Sequence, residues 1–500
     1  MKRPIPSLQL AVGLSSLAGA VRVIGQIVAA LVMLPLIVAR GGVAALGAWV
    51  MMQAVVGYGG LTHLGMGTLL TKEVGGEGET TKGKHREYLL RAAQSCGILW
   101  ALLLAFLTLV LGDWFLATLD AGLSKSTPRS TIWIVLLGVL LRLFSALYGA
   151  VVSGHQRHYI VQLSQLLQIA AFLLTFLLRP ASQSVLYDLA VAFTFSYVGE
   201  LVTVLIVVRR LDPSAARSVP QNSLRSIRRF VSEVRPYFLM DACLRWREPL
   251  LKVALYICCG PASVGVFELA SRIPAAIRQA FVFGLTALVP AVASLDREPL
   301  RDRVVQLGSR ALQYVLFTAV GALFLYGLHA ERILELWLGT VDPKLVTLTR
   351  MLTFWWFATS LNVPAWWVGV GMGYVWANTV IAAAHLAVTA LLVLVAGLWS
   401  VSDYALVGSW IAGGLGMQVL LYTMLERHTG AIKRIYLSVE VLRVCVAFIG
   451  LVLVTFAATT WMRTTTLGPN VVMALSVVLY VTLVVILVGR NLRGGLSADV

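Results

Sequence analysis

The sequence predicts an all-α polytopic membrane protein with about 14 transmembrane helices. Hydrophobic residues make up 59% of its 500 residues, charged residues only 13%, and the mean hydropathy is +0.84, whereas soluble domains carry roughly 25% charged residues. Apolar runs such as GILWALLLAFLTLVLG and LYVTLVVILVGR suit a helix that crosses a hydrocarbon core of about 30 Å. Because the strands of a membrane barrel need alternating apolar and polar residues, these unbroken runs favour helices.

Short connections join the expected spans. Their ranges are 11–38, 43–70, 91–112, 131–153, 157–178, 184–208, 236–259, 262–292, 308–328, 347–370, 373–396, 402–424, 440–460 and 470–489. Lys and Arg are concentrated on one side of the membrane, most densely in the connection RSIRRFVSEVR, and the positive-inside rule then places both termini in the cytoplasm. The formal charge of +17 is explained by this topology and by contact with anionic headgroups, so it requires no nucleic-acid partner.

Two short matches indicate an internal duplication. GVAALGAW, which starts at Gly42, resembles GPASVGVF, which starts at Gly260, and Gly154 and Gly371, in the fourth and tenth connections, are separated by nearly the same offset. The repeat unit holds six helices, so the two lobes are expected to be parallel repeats related by a pseudo-twofold axis along the membrane normal. The predicted domains are an N-terminal six-helix lobe (1–208), a cytoplasmic linker with an amphipathic helix (209–235), a C-terminal six-helix lobe (236–425), and two additional C-terminal helices with a cytoplasmic tail (426–500).

Charged side chains lie deep inside several spans. In DACLRWREPLLK, Asp241, Arg245, Glu248 and Lys252 are spaced four, three and four residues apart, which places them on one helix face. Charges at this depth mark a pathway or a binding site, and arginine suits a phosphate ligand because its guanidinium binds two oxygens at once. The candidate substrate-binding residues are Arg22, Arg142, Arg245, Lys252, Arg272 and Arg278. The candidates for ion coupling are Glu200, Asp241, Glu248 and Glu268. A purely structural interpretation pairs Glu268 with Arg272, and Glu248 with Arg245 or Lys252.

Four stretches resemble the polysaccharide flippases of the MOP superfamily, and the resemblance covers essentially the whole chain. These stretches are LPLIVARGGVAALGAWVMMQAVVGYGGLTHLGMGTLLTKEV, GVFELASRIP, ERILELWLG and ALVGSWIAGG. The resemblance implies a Wzx-like or MurJ-like flippase, a transporter and no enzyme, that moves an undecaprenyl-pyrophosphate-linked oligosaccharide across a bacterial cytoplasmic membrane by alternating access. It also implies that Arg22 and Arg272, and more weakly Arg278, contact the pyrophosphate, and that the last two helices form a groove for the lipid tail.

Several alternatives stay open at this stage. A lipid II flippase is one, although the charged seventh span and the lack of a deep arginine in the second span favour another oligosaccharide. An exporter of the MATE type should have an acidic cavity, whereas the deep groups here are mainly basic, and a glycan polymerase or ligase should carry a large external loop. We expect a monomer that contacts membrane lipids and glycan-assembly partners. We expect no metal or organic cofactor, with Na⁺ or H⁺ as the coupling ion.

Overall fold

The structure is a computed structural model, and its regular elements are helices throughout the residues it describes. These are residues 8–54, 81–120, 127–155, 157–179, 184–211, 228, 230–232, 242–243, 245–283, 285, 292, 301–372, 374–398, 402–464 and 468–496. The helices are α1 (Leu8–Met52), α2 (Thr81–Asp120), α3 (Ser130–Gly154), α4 (His158–Leu178), α5 (Val185–Leu211), α6 (Arg247–Cys259), α7 (Pro261–Phe283), α8 (Arg301–Val315), α9 (Gly321–Leu328), α10 (Ala330–Leu338), α11 (Pro343–Leu361), α12 (Val363–Gly371), α13 (Val375–Leu398), α14 (Asp403–Thr429), α15 (Ile432–Tyr436), α16 (Val439–Arg463) and α17 (Pro469–Leu496).

The helices agree with the predicted fold class. Within the described residues, eight helices are long and apolar enough to cross a membrane, and Thr379–Leu392 and Pro469–Val485 are shorter apolar helices. Each of the fourteen expected spans begins in, or overlaps, one of the described helices. The chain is therefore a multi-pass, all-α membrane protein.

The tenth expected span is divided into α11 and α12. Pro364 follows the break between α11 and α12 and has no N–H to donate to the preceding turn. At the break, the carbonyl oxygen of Leu361 accepts hydrogen bonds from the hydroxyl of Tyr436 at 2.7 Å and from that of Tyr422 at 3.4 Å. Two tyrosine hydroxyls thus bind a backbone oxygen at the end of α11.

The chain divides into two compact units. One comprises residues 1–268 with 386–406, and the other comprises 269–385 with 407–500. Most of the predicted linker at 209–235 lies outside the described residues, and the four-part domain division given above stays a prediction.

Small residues allow close helix packing in the first unit. A Cβ atom on Gly138 of α3 would lie 2.6 Å from the ring of Phe193 in α5, and one on Gly25 of α1 would lie 2.5 Å from Leu166 in α4. The hydroxyl of Thr194, also in α5, donates to a carbonyl oxygen of α3 at 2.6 Å. These contacts hold α1, α3, α4 and α5 in place and fix the positions of the charged groups that they carry.

The two glycines that define the repeat adopt the same backbone conformation. Gly42 has φ 78° and ψ 173°, and Gly260 has φ 84° and ψ 175°. Side chains disfavour positive φ because of their Cβ atom, so glycine is required for this geometry. Gly42 breaks α1, and we call residues 43–52 the second arm of α1; Gly260 separates α6 from α7 in the same way. The offset found in the sequence is therefore an offset between structurally equivalent positions.

The second arm of α1 and the start of α7 cross at a pair of glycines. A Cβ atom on Gly47 would overlap the carbonyl oxygen of Pro261, and one on Gly265 would overlap that of Val43. The two contacts are reciprocal, because Val43 and Pro261 are separated along the chain by the same offset as the two repeat glycines. An isologous contact of this kind is what a twofold relationship between repeats produces.

In the second unit, α17 is anchored through a buried tyrosine. A π-helical turn, Leu316–Val320, precedes α9, and the carbonyl oxygen of Phe317 within it accepts a hydrogen bond from the hydroxyl of Tyr480 at 3.0 Å. A Cβ atom on Gly321 would collide with that hydroxyl. Glycine at this position therefore makes room for the tyrosine.

His329, which lies between α9 and α10, predicts a pH-dependent stability. The residue is buried, and its Nε2 lies 2.6 Å from the hydroxyl of Ser476 in α17. Burial, and then the positive charge of Arg463, hold the pKa of His329 below its ordinary value of 6.5. As the pH falls below 6.5, His329 binds a proton in the unfolded chain but stays unprotonated in the folded protein until a lower pH. Stability is therefore lost between pH 6.5 and the lowered folded pKa, by at most about 1.4 kcal/mol per pH unit.

The measurement is the melting temperature in detergent between pH 7.5 and 5.0 for the wild type and for His329→Gln. Glutamine can still bond to Ser476 but does not titrate. We expect the variant to lose less stability on acidification than the wild type. Parallel curves for the two proteins would show that His329 does not contribute.

Candidate functional site

Three charged side chains form a compact cluster on α6 and α7. The ammonium group of Lys252 donates to the carboxylates of Glu248 and Glu268, in each case at 2.8 Å. The centre of the Phe267 ring lies 5.8 Å from the same nitrogen. Lys252 and Glu268 are buried, whereas about 40% of the Glu248 side chain is exposed. The cluster contains one of the pairs considered above, Glu248 with Lys252, and adds a pair that was not considered, Glu268 with Lys252.

A second pair of opposite charges connects α3 and α5. The guanidinium of Arg142 and the side chain of Ser145 act electrostatically on the carboxyl group of the buried Glu200. The ring of Tyr197, about one turn before Glu200, lies with its centre 5.9 Å from the Arg142 guanidinium carbon. Two candidates that the sequence assigned to different roles are thus neighbours.

Arg22 lies on α1 beside the start of α4. Its Nε is buried and has no hydrogen-bond partner among the described residues, and its charge acts on His158. The Gln162 amide donates to Nε2 of His158, and Nδ1 lies 2.9 Å from the hydroxyl of Ser153, which itself donates to the carbonyl oxygen of Gly149. This pattern fits a ring that carries a proton on Nδ1 and accepts at Nε2. Arg22 therefore has a polar neighbour rather than an acidic one in this group.

Two basic candidates lie on α7. Arg278 is stacked on Trp356 of α11, with its guanidinium carbon 5.4 Å from the ring centre. Arg272 is partly exposed, one and a half turns earlier on the same helix. Both arginines follow Glu268 along α7.

The remaining candidates precede α6. Arg245 is exposed just before the bend at Trp246, so its side chain does not share the buried environment of Lys252. Asp241 lies outside the described residues. The structure therefore describes three of the four charged residues in the predicted stripe. Of these, Glu248 and Lys252 form an ion pair.

Several partners of the charged groups carry no signal in the sequence. Phe267 and Tyr197 contact cations through ring faces, while Ser145 and His158 lie beside charged groups. Only spacing within a single helix was accessible from the sequence, whereas each of these partners lies on a different helix from the group that it faces. The pairings depend on how helices pack.

The fold is found in membrane transporters of known structure. No protein-family model and no curated protein matches the sequence. The structure is similar to that of the lipid II flippase MurJ in an inward closed conformation, with a TM-score of 0.69 and 12% identity over 97% of this chain and 99% of MurJ. It is also similar to a MOP superfamily transporter from Pyrococcus furiosus, described as having a binding pocket of reversed polarity (TM-score 0.56, 15% identity, 86% of this chain and 100% of the other).

A multidrug resistance MATE family transporter of the MOP superfamily, in an outward-facing conformation, gives a TM-score of 0.52 and 15% identity over 86% of this chain and 100% of its own. The chain has the fold of the MOP superfamily. The MOP fold agrees with the all-α architecture of about 14 helices that the sequence predicts. The MATE and Pyrococcus furiosus structures each cover 86% of this chain.

Proposed function

We propose that this protein is a flippase that moves undecaprenyl-pyrophosphate-linked oligosaccharide across a bacterial cytoplasmic membrane by alternating access. The oligosaccharide is the repeat unit of an O-antigen, a capsule or an exopolysaccharide. The observation that carries the proposal is the extent of the match to a lipid flippase, 97% of this chain, in a protein whose spans contain many basic side chains.

The last two helices support a lipid-linked substrate. The MATE and Pyrococcus furiosus transporters each cover 86% of this chain, whereas MurJ covers 97%. Both α16 and α17 expose large apolar side chains along their length, among them Val446, Leu453, Val478 and Val485. An apolar surface of this kind suits the polyprenyl chain of a lipid carrier.

The basic groups support an anionic headgroup. In the proposal, the pyrophosphate and sugar are bound by Arg22, Arg142, Arg245, Lys252, Arg272 and Arg278. Arg22 is the clearest of these in the structure, because its Nε has no hydrogen-bond partner among the described residues and would gain one from a phosphate oxygen. A guanidinium bound to a planar pair of oxygens is a strong, charge-assisted contact.

The reciprocal glycine contact supports alternating access. At the crossing of α7 with the second arm of α1, each glycine faces a backbone carbonyl oxygen, and a contact built from small residues can open without displacing large interlocked side chains. Relative movement of repeats is the usual mechanism in transporters built this way. Both termini lie in the cytoplasm in this proposal, and the protein works as a monomer with glycan-assembly partners. Na⁺ or H⁺ drives the cycle through Glu200, Asp241, Glu248 or Glu268.

A lipid II flippase is the second candidate, because lipid II is the cargo named for MurJ, whose structure gives the TM-score of 0.69. The two candidates share the pyrophosphate and the polyprenyl chain and differ in the sugar. A drug exporter is favoured less, since the deep charges are mainly basic and would repel a cationic drug.

Binding measured by native mass spectrometry tests the proposal. The ligands are undecaprenyl pyrophosphate with and without sugars, lipid II, undecaprenyl phosphate and a cationic drug. We expect preferential binding of the pyrophosphate lipids, and a loss of about tenfold in Arg272→Ala, because a charge-assisted contact to phosphate is removed.

Arg350→Ala is the matched control for this test, since Arg350 is an exposed arginine paired with Glu331 on α10 and is no part of the proposed site. Its affinity should equal that of the wild type. Binding of the drug together with indifference to pyrophosphate would overturn the proposal.

A further inference from the structure

The positions of Glu248, Lys252 and Glu268 have equivalents in the first repeat. Lys252 and Glu268 lie at equal separations before and after Gly260. The same positions around Gly42 are held by Leu34 and Val50, and the position that corresponds to Glu248 is held by Ala30. All three residues of the first repeat are buried.

The first repeat shows that packing of this helix pair does not require charged residues at these three positions. The helix pair of the first repeat is built with apolar residues at all three positions, so the architecture does not require charges there. Burying an ion pair is also not, in general, more stabilising than burying apolar residues of similar volume. The second repeat therefore carries three charged groups that the fold itself does not need.

Glu248 has the most exposed side chain of the cluster. It lies about 18 Å along the helix axis from the glycine that ends α6, and so close to the middle of a membrane about 30 Å thick. About 40% of its side chain is exposed, compared with 10% for Lys252 and 12% for Glu268. A carboxylate exposed to hydrocarbon at that depth is costly, which places its open side on an aqueous path.

The exposed carboxylate of Glu248 also covers the ammonium group of Lys252. Lys252 has three N–H donors, of which one is directed to the buried Glu268 and one to Glu248. Any anion that reaches Lys252 along the aqueous path meets Glu248 first. Glu268, which is buried, remains bound when Glu248 leaves.

We infer that Glu248 is an internal competitor of the substrate: its carboxylate occupies, on Lys252, the place that a phosphate oxygen of the headgroup takes during transport. This inference rests on the proposed function and deepens it. Binding exchanges one oxygen anion for another on the same ammonium group, so Lys252 is never left as an unpaired buried charge. The competition weakens binding, and the return of Glu248 to Lys252 assists release.

The test is the affinity of Glu248→Gln for undecaprenyl pyrophosphate by native mass spectrometry. Glutamine keeps the shape of the side chain but loses the charge that competes for Lys252. We expect the affinity to rise by about two- to fivefold, the range that loss of a partly exposed ion pair gives. Adding Lys252→Met should abolish the gain.

Glu335→Gln is the matched control, because Glu335 also forms an intrahelical ion pair, with Arg332 at 2.7 Å, and is 41% exposed. It should leave the affinity unchanged. If Glu248→Gln does not give a monodisperse protein, Glu248→Asp provides the second variant; its shorter side chain should reach Lys252 poorly and raise the affinity by about twofold.

The outcomes distinguish the two levels of the proposal. A wild type that fails to bind any pyrophosphate lipid contradicts the proposed function. A wild type that binds, with variants at position 248 that bind equally well or more weakly, overturns the inference about Glu248 and leaves the proposed function standing.

Discussion

The substitution Gly265→Ala is expected to separate α7 from the second arm of α1. The added Cβ atom would overlap the carbonyl oxygen of Val43, and this neighbour is backbone, which cannot rotate away. Overpacking of this kind costs about 1–3 kcal/mol, and that free energy destabilises only the state in which the two helices touch. The equilibrium should therefore move toward the separated state by about tenfold or more, with a matching loss of transport.

Because Gly47 and Gly265 make equivalent contacts, the prediction extends to a second variant. Gly47→Ala makes its Cβ atom overlap the carbonyl oxygen of Pro261, so it must have the same effect as Gly265→Ala. Gly199→Ala on α5 is the matched control, because a Cβ atom there meets nothing within 4 Å.

The distance between spin labels at positions 44 and 262, in a background without the native cysteines, measures the separation. Ala44 and Ala262 are equivalent in the two repeats and flank the contact. A longer label distance in both glycine variants, and not in the control, supports a contact that opens during transport. An unchanged distance in either of them would refute it.

Replacing Lys252 by methionine is expected to have the second large effect. It removes the ammonium group that the buried Glu268 binds, and breaking a buried pair in this way costs about 3–5 kcal/mol. The melting temperature should fall markedly and binding of the pyrophosphate lipid should be lost.

A triple variant separates the loss of stability from the loss of lipid binding. Glu248→Ala, Lys252→Leu and Glu268→Val together install the residues that the first repeat carries at the equivalent positions. Because no unpaired charge remains, we expect the melting temperature to return close to that of the wild type, while binding stays lost. A triple variant as unstable as Lys252→Met would mean that the charges are structural in this repeat.

Much of the architecture could be predicted because its signals are local. The lengths of the apolar runs predict helices that span the membrane, and Gly42 and Gly260 mark the repeat through a backbone geometry that glycine alone adopts readily. Pro364 is likewise a local signal, because proline can kink a span, and it lies where α11 ends and α12 begins. The tyrosines that bind Leu361 there come from α14 and α15, far along the chain.

Local patterns in the amino acids were enough to predict the fold class, the approximate helices, the offset of the duplication and the types of charged residue within the spans. The packed structure was needed to show that Lys252 binds both Glu248 and Glu268, and that Gly47 and Gly265 lie at one crossing. The physical reason is the range of the interactions. Hydropathy and glycine geometry act within a few residues, whereas an ion pair or a backbone contact between helices depends on crossing angle and rotation, which the packing of the whole chain sets.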